Sequence, residues 1–263
     1  MIACDTNSWL PASLPRVARR LLLICGAVCA PAVAHATTPQ EDMMLAAARD
    51  GNVPLFRQMI QYGASPYAQD ASGNNAVVFA VEGDHEAILR EVLRRKIDTN
   101  VRGSLGLSPL GMAVLRGNEQ AAQRLLAAGA DPDLADANGI TPLASAVRLG
   151  YDDLARLLLR AGSDTNLADR DGITPLHLSC QSGDLSLVTE LLVRGADPNR
   201  LDRESRSPLF IALLNGHPAA AEILIRNHHT NVEQLTQGYT PRHWTIAFEQ
   251  PELASLIDQR LRH

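Results

Sequence analysis

Apolar residues recur at helical spacing along most of the chain, in short segments separated by glycine and by polar turns. Between residues 174 and 195, for example, Leu176 and Leu178 are followed by Leu187, Val188 and Leu191. This spacing places the apolar side chains on one face of each of two short helices. Neither helix is long enough to bury that face alone, so the pattern predicts helix pairs that pack against neighbouring pairs.

The same pattern returns every 33 residues. A Ser or Thr followed by Pro opens five of the units: its side chain can cap a helix, and Pro at the first helical position needs no N–H partner. A glycine then follows the second helix, where a left-handed residue is required. The residues that carry these structural roles are Ser108, Thr141, Pro142, Thr174, Pro175, Ser207, Thr240, Gly129, Gly162 and Gly195.

The segment from Asp171 to Leu178 reads Asp-Gly-Ile-Thr-Pro-Leu-His-Leu and resembles the opening of an ankyrin repeat. The resemblance implies an all-α repeat solenoid, with two helices and a β-hairpin loop in each repeat. It covers residues 37–263 as about seven repeats, the first and last modified as caps. The expected boundaries are 37–69, 70–102, 103–135, 136–168, 169–201, 202–234 and 235–263.

Departures from the pattern predict where the array is weaker. Lys96 and His228 occupy positions that are glycine in other repeats, and Ser205 replaces the glycine of a hairpin tip. A non-glycine residue in the left-handed region costs roughly 1 kcal/mol, so the second and sixth repeats are expected to be less stable locally. Counting back 33 residues from Ser108 predicts Asn75 as the cap of the first helix in repeat two. Counting back 33 more predicts Asp42 as the corresponding cap in repeat one.

Residues 1–36 are predicted to be a cleaved secretory signal peptide. Three arginines precede an apolar run that ends in Ala34-His35-Ala36, the small-residue pattern before a cleavage site. The run is short for a membrane anchor. Arg19-Arg20 resembles a twin-arginine signal only weakly, and Val17 is an alternative start. Cleavage is expected after Ala36.

Three of the four cysteines lie within that segment, which leaves Cys180 alone in residues 37–263. An exported chain with one cysteine cannot form an internal disulfide, so its stability must come from packing. Export places the protein in the periplasm of a Gram-negative bacterium, or outside the cell as the alternative. No membrane insertion is expected after cleavage.

Composition narrows the class of partner. The net charge is -5 and the sequence pI is about 5.9, so binding to nucleic acid is not expected. With 46% hydrophobic residues, the chain has the composition of a folded protein.

Catalytic and metal sites are weakly indicated. The resemblance implies that His177 bridges the backbones of adjacent hairpins, and Cys180 stands where ankyrin repeats bury a small alanine, so an inert thiol is expected. His228, His229 and His243 suggest a metal-dependent hydrolase as a minor alternative, but no zinc-ligand spacing surrounds them. We therefore expect a non-enzymatic protein with no cofactor.

A binding face is the remaining expectation. In ankyrin arrays, hairpin tips and first helices line a concave face that recognises the partner, and the residues before each Ser or Thr cap form a row across it. Apolar, charged and aromatic residues combine there as a protein-binding surface requires. The candidates are Leu105, Leu107, Arg116, Ile140, Arg148, Arg170, Asp171, Ile173, Arg203, Glu204, Arg206 and Tyr239.

These features predict a periplasmic protein–protein interaction module, monomeric when free, that binds another protein of unknown identity. A scaffold, an accessory of a stress-defence enzyme and an immunity protein that neutralises a toxin are all compatible with such a surface. The alternative is a secreted effector that binds host proteins.

Overall fold

The computed structural model describes residues 37–103 and 106–262, and these residues form fourteen helices in seven consecutive pairs. Short turns join the two helices of each pair, and each pair packs against the next. The all-α repeat solenoid and its seven repeats are confirmed. The helices are α1 (Pro39–Arg49), α2 (Val53–Gln61), α3 (Ala76–Glu82), α4 (Glu86–Arg94), α5 (Pro109–Leu115), α6 (Glu119–Ala127), α7 (Pro142–Leu149), α8 (Asp152–Arg160), α9 (Pro175–Ser182), α10 (Leu185–Val193), α11 (Pro208–Leu214), α12 (Pro218–Arg226), α13 (Pro241–Ala247) and α14 (Pro251–Arg260).

Hydroxyl caps start most of the first helices. Thr141 Oγ1 accepts from the backbone N–H of Ala144 at 3.1 Å, and Thr174 Oγ1 accepts from that of His177 at 3.4 Å. The next residue is proline in both cases, and its fixed φ suits the first helical position. Gly129, Gly162 and Gly195 have φ values of 90°, 91° and 87°. The repeated residues therefore set where each helix begins and ends.

Three of the cap and glycine predictions are wrong. Thr38, rather than Asp42, caps α1, because this helix starts four residues earlier than the period predicts and forms a capping box with Glu41. Thr240 occupies the cap position of α13, but its side chain makes no capping hydrogen bond. His228 lies outside the left-handed region, because the chain leaves α12 through Asn227 in an extended conformation (φ -72°, ψ 125°). Lys96 and Ser205 do adopt positive φ, at 54° and 58°.

In the third to sixth repeats, each first helix and each second helix contributes one leucine to a continuous buried stack. In the first helices Leu110, Leu143, Leu176 and Leu209 are buried, and in the second helices Leu125, Leu158, Leu191 and Leu224 are buried. From the first repeat to the sixth, the first helices of successive repeats pack more closely than the second helices do. The spacing is therefore smaller on the first-helix side, which places that side and its hairpins on the inner face of the stack.

The loops between repeats are tight turns that project from this inner face. Among the described residues they contain no regular strand, and a single bridge joins Thr236 to Tyr239. We call the surface formed by these hairpins and the first helices the hairpin face.

Candidate functional site

An aspartate at the base of each of two central hairpins fixes the conformation of the tip. Asp169 Oδ1 accepts from the backbone N–H groups of Asp171 at 3.0 Å and Ile173 at 2.9 Å. Asp202 Oδ1 accepts in the same way from Glu204 at 2.9 Å and Arg206 at 2.8 Å. Bonds from the side chain to its own turn hold the tip in one conformation.

Backbone hydrogen bonds also join neighbouring tips to one another. The N–H of Arg170 donates to the carbonyl of Asn138 at 3.0 Å, and the N–H of Arg203 donates to the carbonyl of Asp171 at 2.9 Å. The tips of three consecutive repeats are thus fixed in register, so their side chains are presented from a rigid platform.

A groove of about 670 Å³ opens on the hairpin face between these tips and the first helices. Asn138, Leu178 and Gln181 contribute to its wall. Half of the predicted binding residues line it as well, namely Ile140, Arg148, Arg170, Asp171, Ile173 and Arg203. The structure therefore brings together residues that are up to 63 positions apart in the sequence.

Apolar side chains form part of the groove, but they are less exposed than a free strip would be. Ile140 and Ile173 are half-buried and pack against the core, and Leu178 is only 7% exposed. They expose limited apolar area beside exposed arginines, the mixture found where proteins bind one another.

The arginines of this region differ in how their charge is balanced. Arg148 pairs with Asp169 across 3.1 Å. Arg206 Nε lies 2.6 Å from Oδ2 of Asp202, which is almost fully buried, and its Nη1 lies 3.1 Å from Glu204. Arg206 therefore stabilises its hairpin and does not line the groove. Arg170 and Arg203 are exposed, and within the described residues their side chains have no ion pair.

The other predicted residues lie elsewhere on the hairpin face. Leu107 is half-buried near Val78 and Met112, and Arg116 is exposed directly after α5. Glu204 is exposed at its hairpin tip. Leu105 lies outside the described residues.

Tyr239 belongs to an aromatic cluster that the sequence analysis did not find. Its ring centroid is 5.4 Å from that of Trp244, which stacks with Phe248 at 5.8 Å and meets Phe210 edge-on at 4.8 Å. The four-residue spacing of Trp244 and Phe248, one helical turn, was the available signal. Tyr239 remains 55% exposed at the edge of this cluster.

His177 and Cys180, the two central candidates for chemistry, are engaged in the fold. His177 Nδ1 accepts from the N–H of Thr174 at 3.2 Å, and Nε2 donates to the carbonyl of Arg206 at 3.2 Å. Burial lowers the pKa of His177, which keeps the ring neutral for these two bonds. The Cys180 thiol is fully buried, and burial raises its pKa far above the usual range, so it stays protonated.

The remaining histidines are dispersed. His228 and His229 are exposed in the loop after α12, while His243 Nδ1 lies 2.6 Å from the Thr240 hydroxyl. Residues 37–103 and 106–262 contain no group of three or more His, Cys, Asp or Glu side chains able to hold a metal ion. In the same residues no helix has both the length and the apolar character that crossing a bilayer requires.

Comparison with known families matches the ankyrin-repeat family, described as three copies of its repeat unit, over residues 43–136, 110–202 and 176–259. These ranges cover most of the chain, which therefore belongs to the ankyrin-repeat family. Ankyrin repeats are protein–protein interaction modules, and the chain is one by its fold. No match to the chain is found among curated proteins.

Proposed function

We propose that this protein is a non-enzymatic interaction module of the periplasm that binds one partner protein through the groove on its hairpin face. The observation that carries the proposal is the convergence of six sequence-predicted residues on one groove. A partner segment lying there would contact three successive repeats at once, and the hydrogen-bonded tips cost little conformational entropy to order.

The periplasmic location rests on the pattern of residues 1–36, with its arginines, its apolar run and its Ala34-His35-Ala36 ending. Cleavage after Ala36 would leave Cys180 as the single cysteine of the chain. The fold then depends on no internal disulfide, which is consistent with the periplasmic location. Within this location the protein acts as a scaffold, as an accessory of a stress-defence enzyme or as an immunity protein, roles that differ only in the partner.

The non-enzymatic role is supported by the state of the groups best suited to catalysis. His177 uses both ring nitrogens in backbone bonds, and the Cys180 thiol is buried and protonated. Neither side chain lines the groove.

Site-specific photo-crosslinking tests the binding face. A photoreactive phenylalanine analogue at Gln181, an exposed residue of the groove, is expected to form one dominant adduct in cells, whereas the same analogue at Arg160, the last residue of α8, is expected to form none. Equal crosslinking from both sites, or none from Gln181, would show that the groove is not the binding face.

Location is tested separately. Osmotic-shock fractionation is expected to release the protein with a mature N-terminus at Thr37. Recovery from the culture medium would favour a secreted effector instead, and retention in the cytoplasm would contradict export.

A further inference from the structure

Two guanidinium groups at the rim of the groove lack a counter-charge. Arg170 and Arg203 are exposed, and within the described residues neither side chain has an ion pair or hydrogen bond. Arg148, which lines the same groove, is neutralised by Asp169. Asp171 carries the one further carboxylate of the lining, so the lining bears a net positive charge in a chain whose net charge is -5.

The hydrogen bond between the tips limits the distance between the Cα atoms of these two arginines. The N–H of Arg203 lies 2.9 Å from the carbonyl oxygen of Asp171, the residue after Arg170. With standard backbone dimensions, the Cα atoms of Arg170 and Arg203 are then at most about 11 Å apart. An extended chain rises about 3.1–3.4 Å per residue, so residues three apart are separated by roughly 9–10 Å, which lies within this limit.

Three apolar side chains contribute to the wall of the groove, beside the polar Asn138 and Gln181. Ile140 and Ile173 are half-buried, and Leu178 completes the wall. The exposed parts of these side chains can contact a small apolar group of the partner. A carboxylate is disfavoured beside them, because Asp171 also lines the groove and would repel it.

We infer that the groove binds an extended acidic segment of the partner protein, with two carboxylates three residues apart and apolar residues between them. The inference rests on the proposed function and adds the chemistry of the partner. One carboxylate pairs with Arg170 and the other with Arg203, in the two-pronged geometry that guanidinium and carboxylate groups favour. In a polyproline II segment, residues three apart also lie on the same side, as this pairing requires.

Fluorescence anisotropy with defined peptides tests this. The probe is a labelled peptide Gly-Ser-Glu-Leu-Pro-Glu-Gly-Ser, titrated with the purified chain at low ionic strength. We expect saturable binding, at least tenfold weaker for the peptide with both Glu changed to Gln. A peptide of equal charge with adjacent glutamates, Gly-Ser-Glu-Glu-Leu-Pro-Gly-Ser, is expected to bind at least fivefold more weakly than the probe.

Protein variants locate the binding. The double substitution Arg170→Glu with Arg203→Glu is expected to abolish probe binding. The control Arg94→Glu with Arg160→Glu changes the net charge equally, at exposed arginines that end α4 and α8, and is expected to keep the Kd within twofold. Circular dichroism and thermal unfolding establish that both variants are folded.

Three results would overturn the inference: no saturable binding of the probe, equal binding of the peptide with adjacent glutamates, or an equal loss in the control variant. Crosslinking from Gln181 to a partner, combined with any of these, would leave the proposed function standing while rejecting the acidic segment. Absence of crosslinking would reject the proposed function itself.

Discussion

The Nε2 atom of His177 donates to the backbone carbonyl of Arg206, 3.2 Å away and one repeat further along the chain. The Nδ1 atom of the same ring accepts from the N–H of Thr174. One neutral imidazole thus ties the start of α9 to the next hairpin, and through it to the platform that holds the groove.

This link makes stability depend on pH. Burial lowers the pKa of His177 below its ordinary value of 6.5, so the unfolded chain takes up a proton before the folded one does. The stability that the neutral ring contributes is therefore present above pH 6.5 and declines as the pH falls through that value. His177→Gln should lower the free energy of unfolding by about 1–3 kcal/mol at pH 7.5, because it leaves buried polar groups unpaired.

Urea unfolding at pH 7.5 and at pH 5 checks this prediction. The difference between wild type and His177→Gln should shrink at the lower pH. A difference that stays constant would mean that the ring does not titrate with unfolding.

A ladder of side chains between repeats yields a second prediction. Asn166 Oδ1 accepts from the N–H of Asp197 at 2.7 Å while its Nδ2 donates to the carbonyl of Gly195 at 2.9 Å. Asp133 occupies the equivalent position one repeat earlier and accepts from the N–H of Asp164 at 3.0 Å, but a carboxylate has no donor for the second bond. Burial raises the pKa of Asp133, and the charges of Asp131 and Asp164 raise it further.

Asp133→Asn should therefore raise the free energy of unfolding by about 1 kcal/mol at pH 7, and the reciprocal Asn166→Asp should lower it by a similar amount. Because the folded-state pKa of Asp133 is raised, the wild type recovers stability as the pH falls through that pKa toward its ordinary value of 3.8. The advantage of the variant in denaturant titrations should thus shrink at acidic pH. A destabilised Asp133→Asn would contradict the ladder argument.

Lys96 gives a third prediction because its backbone is strained. With φ at 54°, it adopts a conformation that glycine tolerates better. Lys96→Gly should stabilise the protein by about 1 kcal/mol, measured as a higher midpoint in thermal or denaturant unfolding. His228→Gly is the matched control, because His228 does not adopt a positive φ. Glycine raises the conformational entropy of the unfolded chain, so this substitution should leave stability unchanged or reduce it. A gain in both variants would show that strain at Lys96 is not the cause.

The fourth prediction concerns Cys180. Its thiol is fully buried and protonated, so thiol reagents should label it only when the protein unfolds. The labelling rate should therefore rise with denaturant in parallel with the unfolded fraction. Cys180→Ser should cost about 1 kcal/mol, since it buries a more polar group, while crosslinking from Gln181 to the partner stays intact. Fast labelling of the native protein, or loss of crosslinking in a folded variant, would assign the thiol a functional role.

The sequence by itself determined the repeat architecture of this protein. Thr141, Thr174 and Gly195 act through local backbone geometry, and the buried leucines recur with the helical and 33-residue periods, so the number of repeats and most helix starts could be predicted. The errors at Asp42 and His228 fell in terminal or irregular repeats, where the period no longer fixes the chain path.

The tertiary structure decided which candidate residues share one surface and which charges are free. Arg170, Arg203 and Arg206 are all predicted from the sequence as binding residues, yet Arg206 is held by the buried Asp202 while the other two line the groove. The aromatic cluster around Trp244 likewise forms only when α11 and α13 pack. Periodicity constrains the backbone of each repeat, but side-chain pairing between repeats depends on distances that exist only in the folded stack.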